Sequence, residues 1–449
     1  WLGTLSEYAR QQGAQAIIAI DALDKLSHDK HIPWLPMYVP PYVHVVVSTL
    51  DGEAMKACNE RGWFALAVPA LEQQQREEFI SQYLGRFTRK LSANEIKAIL
   101  AHPLSALPLY LKVLLDELRY ASSHETLVES LQTYLSCKSI EDLYGQVLER
   151  VENQCGKAAV QSAMTSLWAS RAGLSQTELL AMHALPPAVW SAIRLQLDDA
   201  IYDEGGLMRF THDYMRAAVG GRYLSRRMNQ RKAHLVAGKW WRTQIVTSRV
   251  LFELPWQWYS AHAWEDLRNC LTDFDTATAA VLYIDNIQLF KYWMGIESNS
   301  SLQMEGELEK VFLEWIQRSE SLAAEEVARC VSELLDTAGR WGSLNEKLLL
   351  RALIIREKRL GKSHISIATN LNNLAAFYKQ IGDMSNAKIL YERALSIRMR
   401  KKGSKNLDIA SSMCNLAGLK ESLGDYKESE ILHKRALAMR EKIVGRNHP

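Results

Sequence analysis

Apolar positions along this chain fall into distinct regimes. Two short uninterrupted apolar runs, Ala16–Ile20 and Val43–Val47, end abruptly in polar residues: Asp21-Ala-Leu-Asp24 after the first and Ser48-Thr49 after the second. Runs of this length that stop at polar residues predict buried strands of a parallel sheet. A proline-rich connector, Ile32-Pro-Trp-Leu-Pro36 and Pro40-Pro41, separates them. From Leu71 to Tyr120 the spacing becomes helical, with a Glu/Gln/Arg-rich outer face. Residues 160–225 predict alternating helices followed by a two-strand wing at Gly205-Gly206-Leu-Met-Arg-Phe210. Residues 230–340 remain helical and carry well-spread tryptophans (Trp240, Trp241, Trp256, Trp258, Trp264, Trp293, Trp315), a pattern that predicts core packing between helical pairs.

The C-terminal region repeats with a period of 42: Ala352-Leu353, Ala394-Leu395 and Ala436-Leu437 keep that step, as do Arg356, Arg398 and Arg440, and Gly361, Gly403 and Gly445. Asn373-Leu374-Ala375 recurs as Asn415-Leu416-Ala417, and Gly382-Asp383 as Gly424-Asp425. Within one repeat the spacing predicts a helix from about Ile365 to Gln380, a tight turn at Gly382-Asp383 and a second helix from about Ser385 to Lys401. Gly403 sits where a helix end favours a left-handed residue. Small residues at Ala375, Ala387 and Ala394 let the helices approach, and Leu374, Tyr378 and Tyr391 fill the space between them. The second copy has Lys420 and His433 in place of the two tyrosines, and a weaker copy, offset by one residue, runs from Gly339-Arg340-Trp341 to Arg351-Ala352.

Composition narrows the class of protein. At 449 residues, 47% hydrophobic and 23% charged, the chain has material for about three domains, and a net charge of +3 offers no electrostatic footprint for nucleic acid or an anionic membrane. The six cysteines (Cys58, Cys137, Cys155, Cys270, Cys330 and Cys414) show no metal-ligand or disulfide-framework spacing. No apolar stretch approaches the ~20 residues of a membrane helix. These features predict a soluble protein of a reducing compartment, the cytoplasm. The sequence begins on Trp1 and closes on Gly445-Arg-Asn-His-Pro449, which reads as the opening of a further repeat, so both ends are expected to be cut ends.

The 42-residue unit resembles the tetratricopeptide repeat in the long form of kinesin light chains and nephrocystins. Such helix pairs stack into a superhelix whose concave side takes extended peptides. Asn373 and Asn415 hold equivalent places on the first helix of their repeats. Their amides can hold a ligand's backbone, or instead hydrogen-bond within the repeat.

Residues 16–50 resemble the Walker B and sensor-1 strands of NACHT-type signal-transduction P-loop NTPases. The resemblance places Asp21 at the acid that holds Mg²⁺, Asp24 at a second acid that polarises water, and Ala22 between them. Lys25 stands where the family often has Glu, and Leu50 where it has the sensor arginine. No Gly-x-x-x-x-Gly-Lys-Ser/Thr string occurs. Gly361-Lys362-Ser363 lacks the earlier glycine, since Arg356 stands there, and falls at a helix end inside the repeats. His102-Pro-Leu-Ser-Ala-Leu-Pro-Leu109 resembles the family's helical lid, which makes Pro108 the proline near the bound base, though Pro103 and Pro108 also suit plain helix starts. Thr211-His212-Asp213 resembles the family's winged-helix Met-His-Asp motif, which makes His212 a latch onto nucleotide phosphates; the alternative is that His212 and Asp213 cap the next helix. Arg226, Arg227, Arg231 and Lys232 read as a solvated helix face.

The expected architecture is multidomain and mostly α. Residues 1–70 form part of an α/β P-loop NTPase sheet, 71–155 a helical lid, 156–225 a winged helix, 226–338 a helical linker and 339–449 a tetratricopeptide α-solenoid. The expected function is a scaffold that binds partner peptides or proteins through the repeats, without nucleic acid or membrane and with no cofactor in the chain as it stands. The alternative is a nucleotide-dependent switch using Mg-ATP or Mg-GTP, which requires a P-loop upstream.

Overall fold

The computed structural model describes residues 1–26, 32, 34–119, 124–400 and 406–444. Pro33, Gly403 and the Gly445–Pro449 segment lie outside the described residues, as does the side chain of Lys25. The chain divides into two compact units, Trp1–Leu115 and Asp116–Pro449.

The first unit contains α1 (Leu2–Gln11), β1 (Ala16–Ile20), α2 (Leu23–Leu26), β2 (Val43–Val47) and α3 (Glu53–Glu60). The strands pair in parallel, Ala16 opposite Val43 and Ile20 opposite Val47, at the positions the apolar runs predict. Their burial departs from expectation. Ile20 and Val47 pack on Leu23, Ile32, Leu35, Ala54 and Ala57. The opposite face is open, with Ile17 70% and Val46 59% exposed. Strand residues alternate between faces, so one covering layer buries only every second residue, and an all-apolar run does not show how many layers lie over it.

α4 (Gln73–Gly85), α5 (Ala93–Ala101) and α6 (Pro108–Arg119) follow. Ser92 and Glu95 form a reciprocal capping box that starts α5. Arg76 ties this helical segment together by donating to the Leu100 carbonyl (3.0 Å) and the Ser105 hydroxyl (2.7 Å). A short 3₁₀ turn, Pro103–Ala106, delivers the chain to α6.

The second unit runs through α7 (His124–Leu135), α8 (Ile140–Cys155), α9 (Lys157–Ala169), α10 (Gln176–His183) and α11 (Pro187–Gln196) into the hairpin β3 (Ile201–Glu204) and β4 (Leu207–Phe210), then α12 (Asp213–Tyr223). Gly205 and Gly206 both take positive φ, +61° and +83°, as a two-residue hairpin turn demands. Leu174 bridges to Met208 from the chain after α9. Glu152 of α8 accepts from Arg222 (2.7 Å) and from the Tyr223 hydroxyl of α12, and these bonds hold its carboxyl below the usual carboxylate range.

Next come α13 (Arg227–Trp241), α14 (Ser248–Ala261), α15 (Trp264–Thr272), α16 (Phe274–Tyr283), α17 (Asn286–Ser298), α18 (Met304–Leu308) and α19 (Glu314–Arg318), the last two joined by a π turn. Trp241, Trp258 and Trp293 are buried, as core packing requires. Glu253, fully buried on α14, accepts the backbone N–H groups of Arg171 and Ala172 and pairs with Arg249. The array ends with three helical pairs: α20 (Leu322–Thr337) with α21 (Ser343–Leu360), α22 (Ile367–Gln380) with α23 (Met384–Arg400), and α24 (Asn406–Ser422) with α25 (Tyr426–Val444). Among the described residues no helix is long and apolar enough to cross a membrane.

Candidate functional site

The turns of the 42-residue repeat are built alike in its two copies. Gly382 (φ +88°) and Gly424 (φ +80°) end α22 and α24 in the left-handed conformation that glycine tolerates best. Behind each glycine the aspartate N–H closes back on the helix, Asp383 to the Tyr378 carbonyl and Asp425 to the Lys420 carbonyl, both at 2.9 Å. Each aspartate carboxylate then caps the following helix, Asp383 on the Asn386 N–H (3.1 Å) and Asp425 on the Glu428 N–H (3.3 Å). Ala375, Ala387 and Ala394 are buried between the helices, and Tyr391 is buried beside Leu416 and Leu419 of the next pair. The substituted position keeps a polar bond: Tyr378 donates to Glu346 (2.8 Å), whereas Lys420 pairs with Glu428.

A second periodic set lies where the pairs join. Arg356 donates to the Ser366 carbonyl (3.2 Å) and the Asn370 side-chain oxygen (3.0 Å). Arg398 donates to the equivalent Asp408 carbonyl (2.9 Å) and Ser412 hydroxyl (2.6 Å). Each arginine thus fastens the second helix of one pair to the first helix of the next. The recurrence of arginine is visible in the sequence, but its role is not. The signal was present in the polar residue 14 positions further on, Asn370 and Ser412, which also recurs.

These clamps bury one side of the first helices, and Arg398 also reaches the Thr369 hydroxyl at 3.3 Å. One incompletely buried stripe of α22 carries Thr369, Asn373, Ala376 and Gln380, and the equivalent stripe of α24 carries Ser411, Asn415, Gly418 and Ser422. The two stripes are equivalent position for position, and each residue in them is small or polar. Asn373 is half-buried and Asn415 exposed. Neither side chain is hydrogen-bonded within the described repeats. A free carboxamide offers two donor hydrogens and an acceptor oxygen, the complement of a peptide unit.

In the first unit, the predicted acids lie at the carboxyl ends of the parallel strands, where ligand sites of such sheets occur. The Ser48 hydroxyl donates to Asp21, and the Ala22 N–H donates to the same Ser48 oxygen (2.8 Å). The Leu50 N–H donates to Asp24 (3.3 Å). Asp21, Asp24 and the Ser48–Leu50 loop therefore form one local cluster, with Ala22 in the left-handed region at φ +53°. Asp21 is exposed and Asp24 half-buried. One or two carboxylates with open coordination positions fit one side of an Mg²⁺ site. The phosphate-cradling string that would complete such a site is not in this sequence. Pro108 is exposed and is the first residue of α6, the position proline favours. His212, in the second unit, is exposed at the N-cap of α12 without a side-chain capping bond.

Residues 366–442 match the model of the tetratricopeptide repeat. This segment is a tetratricopeptide-repeat array. The chain is 26% identical over 304 residues to a TPR repeat-containing protein of Dictyostelium discoideum, a match spanning 64% of this chain and 18% of that protein. It is 26% identical over 419 residues to nephrocystin-3 of Mus musculus, spanning 87% of this chain and 30% of that one. It is 27% identical over 188 residues to human NACHT and WD repeat domain-containing protein 2, spanning 40% of this chain and 10% of that one. The chain thus spans less than a third of the length of each of these relatives. Tetratricopeptide repeats bind protein partners as a class.

Proposed function

We propose that this chain is a protein-interaction scaffold whose tetratricopeptide groove takes an extended peptide along the free faces of α22 and α24. The observation that carries the reading is the pair of Asn373 and Asn415 carboxamides: equivalent in the repeat, accessible, and left without a partner in the described repeats. Each would contribute one or two hydrogen bonds to a peptide backbone while neighbouring small residues leave room for its side chains. The partner is a protein segment in extended conformation, and the chain works in the cytoplasm. The experiment is titration of a display-selected peptide into the full chain, with and without Mg-ATP or Mg-GTP, on the wild type and on the Asn373→Ala/Asn415→Ala variant. Nucleotide is expected to leave the affinity unchanged; a strict requirement for nucleotide would contradict the scaffold reading.

A second reading has its own support in the clustering of Asp21 and Asp24 on the Ser48–Leu50 loop at the strand ends. In it, residues 1–70 are part of a NACHT-type NTPase core, 71–155 its lid, 156–225 a winged helix and 226–338 a linker to the repeats. Asp21 holds Mg²⁺, Asp24 orients water, Pro108 borders the base and His212 latches the phosphates of Mg-ATP or Mg-GTP. Similarity to a protein whose name includes NACHT agrees with it. The helices α9 to α11 followed by the β3–β4 hairpin are the layout that a winged helix would have. Turnover in this reading needs a phosphate cradle that this sequence does not contain. In a chain that carries one, Asp21→Ala abolishes nucleotide hydrolysis; unchanged turnover would sink the reading.

A further inference from the structure

The basic residues that open α13 read in sequence as a solvated helix face, yet part of that face lines a cavity. Arg227, Arg231 and His234 recur along α13 at helical spacing and form one wall of a pocket of ≈ 230 Å³. Trp168 of α9 forms another side, and Ser260 and His262 from the end of α14 close it. No carboxylate lines this cavity among the described residues.

Other arginines of this unit are answered by acids. Arg150, Arg222, Arg249 and Arg268 each meet a glutamate within 3.1 Å. Arg227 has neither an acidic nor a hydrogen-bonding partner among the described residues. Among the described residues Arg231 donates to His262 Nδ1 alone, at 3.0 Å. Two like charges one helical turn apart repel each other, and nothing in the pocket offsets them.

The imidazoles are set by their neighbours. A guanidinium is always a donor, so His262 Nδ1 accepts from Arg231 and its Nε2 carries the proton. His262 is held at the end of α14 in a left-handed conformation, φ 57° and ψ 33°. At the floor, His234 is only 7% exposed. The Gln257 amide nitrogen donates to the Ala169 carbonyl (3.0 Å) and to Glu253 (2.9 Å). Its oxygen therefore accepts from His234 Nδ1–H, at 2.8 Å. His234 Nε2 is left for the cavity. Burial, with Arg216 nearby, holds this imidazole below its ordinary pKa, so Nε2 accepts a hydrogen bond from a protonated ligand oxygen, or donates once it has taken that proton.

We propose that this pocket binds a phosphoryl group, as free orthophosphate or as the monoester of a small metabolite. Two guanidinium heads, an imidazole N–H and a hydroxyl supply donors around an oxyanion. The buried His234 suits a ligand whose own proton comes off near neutrality, as the second proton of a phosphate ester does at about pH 6. Sites for drug-sized ligands run to roughly 300–1,000 Å³; this one is smaller and fits a phosphoryl group with a short substituent.

The test is titration of the full chain with sodium phosphate, and separately with glycerol phosphate, against sodium chloride at matched ionic strength, read by calorimetry and by tryptophan fluorescence. Saturable binding is expected, weakened by about tenfold or more in Arg227→Gln/Arg231→Gln. Lys232→Gln, on the same helix but outside the lining, should leave it unchanged. Circular dichroism checks that the exposed substitutions leave the fold intact. Tighter binding of the ester than of orthophosphate assigns the site to a metabolite; equal or weaker binding assigns it to the free anion. A response that does not saturate, or an affinity unaltered in the double variant, overturns the proposal.

Discussion

Arg398 and Arg440 occupy the same place in successive repeats but not the same surroundings. Arg398 is 9% exposed and donates to Asp408, Ser412 and Thr369, and burial lowers its pKa from the ordinary value. Arg440 is exposed on α25 with no partner among the described residues. Removing a buried donor strands the acceptors it served, at a cost of about 1–3 kcal/mol, whereas an unpartnered surface side chain is worth less than about 0.5 kcal/mol. Arg398→Ala is therefore expected to lower hydrogen-exchange protection of the α23 and α24 amides by about 1–3 kcal/mol. Arg440→Ala should leave the α25 amides within about 0.5 kcal/mol. Equal effects would show that the clamp between pairs does not stabilise the array. At this scale the sequence was only partly legible. The 42-residue period marks the arginines, Asn373 and Asn415 as equivalent positions. Whether each is spent inside the fold or left for a partner depends on neighbours on another helix. Arg398 is spent, and the two asparagines are not.

At the scale of elements, local chemistry was the reliable guide. The Gly-Asp turns, the strand runs and the Gly205-Gly206 hairpin lie where glycine, aspartate and apolar spacing predict them. The repeat helices run Ile367–Gln380 and Met384–Arg400, within a few residues of the ends their spacing predicts. What spacing does not reveal is cover. Ile17 and Val46 are as apolar as Ile20 and Val47, yet they lie on the open face of the β1–β2 sheet. The basic stripe of α13 likewise turns part of itself to a cavity. Gly173 is a case where element packing dictates the residue. Its φ is +87°, and an added Cβ would meet the Met208 carbonyl oxygen at 2.5 Å. Gly205, at φ +61°, has open space around it. Gly173→Ala adds a backbone clash to a left-handed strain that alone costs about 1–3 kcal/mol. It should depress the unfolding midpoint of the second unit clearly more than Gly205→Ala does. The reverse order, read by urea denaturation, would mean that the Leu174–Met208 bridge is not part of the folded unit.

At the scale of the whole molecule, two compact units carry two kinds of candidate chemistry. One gathers acids at strand ends; the other stacks helical pairs and ends in tetratricopeptide repeats. The repeat half was legible because periodicity is written into a single chain and each pair contacts only its neighbours. The strand-end half was legible as topology, since β1 and β2 pair in parallel. Its chemistry was less so, because the contacts that gather Asp21 and Asp24 on the Ser48–Leu50 loop join residues far apart in sequence. The central claim is that the free carboxamides of Asn373 and Asn415 hold a peptide in the repeat groove, and the affinity of a display-selected peptide for the full chain tests it most directly. Each amide is expected to contribute about 0.5–1.5 kcal/mol. The Asn373→Ala/Asn415→Ala variant should therefore bind the peptide roughly five- to 150-fold more weakly, with its thermal midpoint unchanged. Undiminished affinity in that variant would contradict the account and move peptide binding away from the stripe shared by α22 and α24.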